Sequence, residues 1–263
     1  MNLLSTEEQS VLNFVVTGQI RCGGSVIQSS TASHADAMCH ADLLHEELKP
    51  RRLNHESYFG PSNNPEVPDW CHPQLISPEQ YLTTRVFDKN HFGEHAIGVK
   101  LLYSHLRIND LWEYFQDWCR KGDFCVIHVK RNPVACFVSL KQAQQTGVWY
   151  QDVNRREKIA VPRPVDVKVE ELVDFVRWHQ AYETKVDAMC DDRLEINYQE
   201  LFLNYHDVMA GVFDFLQLAP FPDVSPGVRR LKNRNIQDRM ANFHWTRLAV
   251  PHDVRQFFDH NLF

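Results

Sequence analysis

A chain of 263 residues, 43% hydrophobic and 24% charged, suits one large α/β domain with a sizeable core. The formal net charge of −6 argues against non-specific nucleic-acid binding, so any anion site must be a local basic cluster.

Residues 1–10 read as a polar lead-in. Val11, Leu12, Phe14, Val15 and Val16 then form a short β-rich run of the kind a strand buried on both faces shows. Gly18, Gly23 and Gly24 break the run, and Val26 to about Ser33 resumes as helix. Ser33–Asp36 is a turn, and Met38–Glu47 begins a helical or extended piece. The stretch 49–78, rich in Pro, Asn, His and Arg, reads as a long excursion over the active face, with Tyr58, Phe59 and Trp70 pointing to a binding role. Pro78 to about Asn90 is expected to be helical.

Ala96–Leu102 is a second β-like run containing one charge, Lys100; a lysine near the end of a buried strand is seldom there for packing. Asn109–Lys121 carries Leu111, Trp112, Phe115 and Trp118 at helical spacing, and Gly122 ends it. Phe124–Val129 is a third strand. Pro133 then suits the first turn of a helix running from Val134 to Gln145. The stretch 147–164 is irregular, Val167–Met189 is an amphipathic helix, Arg193–Tyr198 a short strand, and Tyr205–Leu218 the last long helix. Ala219–Phe263 is basic in its middle and aromatic near its end. Strands alternating with helices, without repeats or low-complexity linkers, predict one α/β domain over 1–263: a three-layer sandwich around a parallel sheet.

The seven cysteines are scattered and form no C-x-x-C pair, the usage of a reducing compartment, with no disulfide framework legible. Of the fourteen histidines only His34, His40 and His45 gather, in a spacing that matches no familiar ligand motif, so no metal is expected. No signal peptide precedes Val11, and no apolar run approaches the ~20 residues that span a bilayer. These features predict a cytoplasmic protein without a membrane span.

Strand, glycine loop and helix in that order leave orphan N–H groups at a helix start, where they and the helix dipole favour an anion. Gly18-x4-Gly23-Gly24-Ser25 fits the phosphate-loop frame G-x4-G-K-[ST] except at the lysine, which is Gly24. That lysine serves the β- and γ-phosphates of a nucleoside triphosphate, so its absence argues against ATP or GTP hydrolysis. Arg21 is the nearest cation. A second motif, Arg131-Asn132-Pro133-x5-Ser139, places an arginine at a strand end and a serine two turns into the next helix, at the sheet edge where open α/β sheets bind ligands. Two phosphate sites on neighbouring strand ends describe a doubly phosphorylated nucleotide.

The pairing of these motifs resembles the sulfotransferases that use 3′-phosphoadenosine 5′-phosphosulfate (PAPS). The resemblance runs on through Ile196–Leu201 and Phe215–Leu218 to a basic stretch ending in Asn242. It implies that Arg21, Cys22, Gly23, Gly24 and Ser25 hold the 5′-phosphosulfate, that Arg131 and Ser139 hold the 3′-phosphate, and that Arg230, Lys232 and Arg234, in a segment of about 226–243, close over the cofactor. Gln19-Ile20, Cys22 and Gly24 depart from the family's loop, and Cys22 and Gly24 remove two side-chain donors to the phosphosulfate.

Within the family the chain is most similar to bacterial carbohydrate sulfotransferases of the trehalose-sulfating type, through Ala32–Ala37, His40–Leu44 and Gly98–Leu102. That likeness puts Asp42 on the general base, with His105 and His40 as rivals, and gives Arg21 and Lys100 the growing charge on the leaving phosphate. No metal is implied. The acceptor would be a hydroxyl of a carbohydrate or small metabolite, its identity hidden in the 49–78 and 147–164 loops. The Trp and Phe content leaves surface for a homodimer. Two other readings stay open: a phosphate-loop kinase or NTPase, and a non-catalytic nucleotide-binding module on a decayed sulfotransferase fold.

Overall fold

The computed structural model describes residues 11–41, 43–44, 77–87, 94–149, 151–152, 162–229 and 235–259, with 151–152 and 228–229 described in backbone only. Its centre is a five-stranded sheet in the order β2-β3-β1-β4-β6. The strands are β1 (Leu12–Gly18), β2 (Ala37–His40), β3 (Ala96–Leu102), β4 (Cys125–Lys130) and β6 (Arg193–Asn197). All four neighbouring pairs are parallel. A separate two-residue pairing joins β5 (Gln151–Asp152) to β7 (Val228–Arg229). The chain leaves β1 for β2 and β3 on one side and then crosses to β4 and β6 on the other. The carboxyl end of β1 therefore sits where the strand order reverses, the place at which open α/β sheets form their ligand crevice.

Phe14 to Gly18 are buried without interruption, which is why β1 reads as an apolar run and not as an alternation. Phe14, Val16, Ile127, Val129 and Ile196 line one sheet face and pack on α1 (Gly24–Thr31) and α8 (Tyr205–Phe215) through Ile27, Met209, Val212 and Phe213. Gly98 permits this packing, because a Cβ there would lie 2.3 Å from the Phe14 ring. Val15, Ile97, Val99, Leu101 and Val126 line the other face. They meet α3 (Tyr103–Ile108), α4 (Trp112–Lys121) and α6 (Val169–Met189). A third apolar cluster joins α5 (Pro133–Thr146) and α6 to α9 (Ile236–Arg239) and α11 (His252–Asp259). These layers give the three-layer parallel α/β sandwich of phosphate-loop type that the alternating pattern predicts.

Met38–Glu47, read as helical or extended, begins as a strand, Ala37–His40. The helix expected from Pro78 to about Asn90 is present in its described part as a capped turn, α2 (Pro78–Tyr81), continued by a π-helical segment over Leu82–Val86. The short helices α3, α7 (Tyr198–Leu203), α9, α10 (Phe243–Ala249) and α11 carry no periodic signature long enough to be read. Cys119 and Cys190, 71 residues apart, form a disulfide with a Cα–Cα distance of 5.3 Å, correcting the reading of unpaired cysteines. Most of the 49–78 excursion, and Arg230, Lys232 and Arg234, lie outside the described residues. No helix among the described residues is long and apolar enough to cross a membrane.

Candidate active site

The loop after β1 is held by close backbone approach. At Gly18 a Cβ would stand 2.5 Å from the Val129 carbonyl oxygen and 2.8 Å from Cys22 Sγ. Gln19, buried, accepts the Ile20 N–H on its Oε1 at 2.7 Å, and its carbonyl accepts the Cys22 N–H at 3.0 Å. Gln19 thus braces the loop from inside, a role the sequence does not announce. Gly23 turns the chain at φ 104° into α1, where it is the N-cap and has no side chain to satisfy the first-turn N–H groups. Those donors and the positive end of the helix make the loop an anion cradle.

Cys22 lies beneath that cradle, against the Gly24 N–H. Its side chain is buried in the cluster under the loop, and burial pushes its thiol up to about 11 against the opposing pull of the Gly24 N–H, Lys100 and Arg131. Gly24 has a different consequence. A Cβ there would touch Lys100 Cδ at 3.5 Å, so the Lys100 stem runs beside the position where the phosphate-loop frame carries its own lysine. Lys100, on β3, is buried and donates from Nζ to Ser25 Oγ at 2.8 Å. The missing lysine is replaced in space by one from the next strand.

A second cationic cluster follows β4. Asn132 caps α5 by accepting the Ala135 N–H at 3.1 Å, and its amide donates to the Phe257 carbonyl at 3.0 Å. With Pro133 in the first turn, that cap fixes Arg131 at the strand end. The Arg131 guanidinium lies 3.7 Å from the centre of the Tyr198 ring and donates from Nη1 to the Arg21 carbonyl at 2.7 Å; its Nε is buried and makes no hydrogen bond. Arg21, held at φ 70°, donates from Nε to Ser139 Oγ at 3.2 Å and from Nη1 to the Trp149 carbonyl. Burial, and then the nearby Arg131 charge, lower the Arg21 guanidinium from its usual range.

The structure thus gathers Arg21, Cys22, Gly23, Gly24, Ser25, Lys100, Arg131 and Ser139 around one loop at the carboxyl edge of the sheet. Tyr198, Gln19 and Trp149 join them; Tyr198 opens α7, and Gly23 runs so close that a Cβ would meet its Cδ2 at 2.8 Å.

Of the candidate bases, Asp42 lies outside the described residues. His40 closes β2 in register with Val99, one residue before Lys100, and burial brings its pKa down to about 4, so it is neutral at pH 7. His105 is buried in α3, and its Nδ1 accepts the Leu102 N–H at 3.3 Å. His34 is a core residue: Nε2 contacts the Ala219 carbonyl at 3.0 Å, and the ring packs on Phe213 and Phe221. The five central strands end in Gly18, His40, Leu102, Lys130 and Asn197, none of them a carboxylate.

No protein-family model matches the chain, and no curated protein matches it. Among solved structures it is similar to a sulfotransferase from Alicyclobacillus acidocaldarius, at 15% identity over 95% of this chain and 92% of that one, TM-score 0.49. It is similar to a sulfotransferase from Mycobacterium avium at 12% identity over 80% of this chain and 64% of that one, TM-score 0.42. It is similar also to the sulfotransferase domain of the Synechococcus olefin synthase, at 13% identity over 98% of each chain, TM-score 0.40. The fold assignment itself rests on the order and direction of the five strands.

Proposed function

We propose that this protein is a sulfotransferase that uses PAPS as donor and a hydroxyl of a carbohydrate or small metabolite as acceptor. The observation that carries this reading is the pair of cationic ends on one glycine loop: Lys100 with Ser25 at one, Arg131 with Arg21 and Ser139 at the other. A ligand with two separated anionic groups fits them, and PAPS carries a 5′-phosphosulfate and a 3′-phosphate. A nucleoside triphosphate fits less well, because no central strand ends in a carboxylate to carry Mg²⁺.

In the proposed reaction the acceptor oxygen forms a new S–O bond while the bond from sulfur to the 5′-phosphate oxygen breaks. The electron pair stays on that oxygen and the acceptor's proton passes to a base. Negative charge grows on the leaving phosphate, where Lys100 Nζ, Ser25 Oγ and the first-turn N–H groups of α1 provide fixed positive potential that needs no reorganisation. The end of β2 supplies the base. We assign it to Asp42, two residues beyond His40, because a buried histidine with a pKa of about 4 offers no stronger basicity than a carboxylate.

Calorimetric titration with adenosine 3′,5′-bisphosphate (PAP), beside ATP with Mg²⁺, tests the donor. PAP is expected to bind, ATP to stay silent, and Arg131→Ala to weaken PAP by ~10–100-fold, the loss typical of a charged hydrogen bond. Asp42→Asn should keep PAP binding and lose ~10²–10⁴-fold in turnover of PAPS with a productive acceptor. Absence of PAP binding to the wild type ends the sulfotransferase reading, and ATP–Mg²⁺ binding in its place favours the kinase.

A further inference from the structure

Arg21 belongs by sequence to the glycine loop, and its position there assigns it to the anion the loop cradles. Its side chain goes elsewhere. The backbone at φ 70° carries it toward α5, where Nε donates to Ser139 Oγ at 3.2 Å, eight residues along from Arg131. Arg131 meets it from the other side, donating to the Arg21 carbonyl at 2.7 Å. The Lys100–Ser25 contact, in contrast, involves neither arginine. The two sets of contacts share no residue, and Arg21 belongs to the set with Arg131 and Ser139.

The chemistry of that set is unbalanced. Among the described residues no carboxylate pairs with Arg21 or Arg131, although both are half-buried and the Arg131 Nε is buried without a hydrogen bond. Two adjacent guanidiniums repel, and the cost rises as water is excluded. A group of double negative charge with several acceptor oxygens offsets that cost best. A phosphomonoester carries about −1.5 to −2 at pH 7 and accepts in the planar fork geometry of arginine. The known partners of Arg21 are a hydroxyl and a carbonyl, acceptors without full charge, which position the guanidinium without neutralising it.

We infer that Arg21 acts with Arg131 and Ser139 on the phosphomonoester at the 3′ position of the nucleotide, and is the loop residue that selects a 3′-phosphorylated donor over one lacking that phosphate. This inference rests on the donor reading above and refines it: Lys100, Ser25 and the helix start face the reacting 5′ end, while Arg21 serves recognition at the far end. Ser139 orients Arg21 before the ligand arrives.

Three nucleotides separate the roles: PAP, 5′-AMP, which lacks the 3′-phosphate, and 3′-AMP, which lacks the 5′. Each is titrated calorimetrically into wild type, Arg21→Ala, Arg21→Lys and Ser25→Ala, with thermal unfolding as a check on folding. Arg21→Ala should weaken PAP and 3′-AMP by ~10–100-fold while 5′-AMP stays within about threefold. Arg21→Lys, which keeps the charge but not the fork, should recover part of the loss. Ser25→Ala should give the converse, weakening PAP and 5′-AMP and sparing 3′-AMP. If Arg21→Ala weakens 5′-AMP as much as 3′-AMP, Arg21 acts at the reacting end and the inference fails. If all three nucleotides bind the variant as they bind wild type, Arg21 is only a brace between loop and helix, and the inference fails again. Should the wild type bind no PAP, the donor reading falls and takes the inference with it. A wild type that binds PAP beside an unselective Arg21 sinks the inference alone.

Discussion

A methyl group added at Gly23 would meet Tyr198 Cδ2 at 2.8 Å on a backbone held at φ 104°, whereas one added at Gly24 would rest 3.5 Å from Lys100 Cδ. Gly23→Ala is therefore expected to cost ~1–3 kcal/mol in urea unfolding, from left-handed strain and the ring contact together. It should also weaken PAP binding, because Tyr198 supports the Arg131 guanidinium. Gly24→Ala should be neutral or stabilising by up to ~1 kcal/mol through the unfolded chain, with PAP affinity retained. Equal effects of the two substitutions would contradict this account of the loop. Residue identity was a good guide to which positions gather here and a poor one to where they point. Cys22 stands at a donor position and turns into the core, and Arg21 stands in one anion motif and bonds to the serine of the other. Side-chain direction depends on the local φ and on neighbours far away in the chain, which no spacing rule contains.

The bond between Cys119 on α4 and Cys190 at the end of α6 ties together two helices on the same sheet face. The loop-entropy argument allows a closure of this length about 4 kcal/mol, and disulfides typically contribute about 2–4 kcal/mol. Unfolding in reductant should accordingly lose that much stability, and Cys119→Ser should abolish the dependence on reductant. Denatured, unreduced protein should show two fewer reactive thiols than its seven cysteines; a count of seven would refute the bond. Long elements were legible because periodicity needs length. The amphipathic α6 and the apolar β1, β3 and β4 were read within about two residues, whereas α3, α7 and α9 span only 6, 6 and 4 residues. Too short to show a repeating face, they form because α3 caps β3, α7 follows β6, and α9 packs into the cluster of α5 and α11.

Two buried histidines make the stability of the whole molecule depend on pH. His128 on β4 contacts the Tyr103 hydroxyl at 2.6 Å, and its Nδ1 lies 3.2 Å from Asp187. Burial lowers His128, despite Asp187, and His40 to about 4 each. Below about 6.5 the unfolded chain binds protons that the folded chain refuses, so stability is present above that value and is lost as pH falls toward 4. Each histidine contributes ~2 kcal/mol of loss between pH 7.5 and pH 5, a window above the range in which Asp187 and Glu183 titrate. Chemical denaturation at the two pH values should show this fall, and His40→Gln should reduce it by about half. A wild type equally stable at both would show that these rings are charged in the fold.

Composition, the apolar runs and the glycine breaks determined by themselves that this is an α/β chain with a glycine loop after its first strand, because burial on both faces and positive φ restrict which residues can stand there. The tertiary structure alone decided the strand order, the replacement of the absent loop lysine by Lys100, the disulfide, and the joining of Arg21 to Arg131 and Ser139. Each of these depends on contacts between residues about 60 or more positions apart, set by how twisted strands and their helices pack, and local sequence carries no record of that.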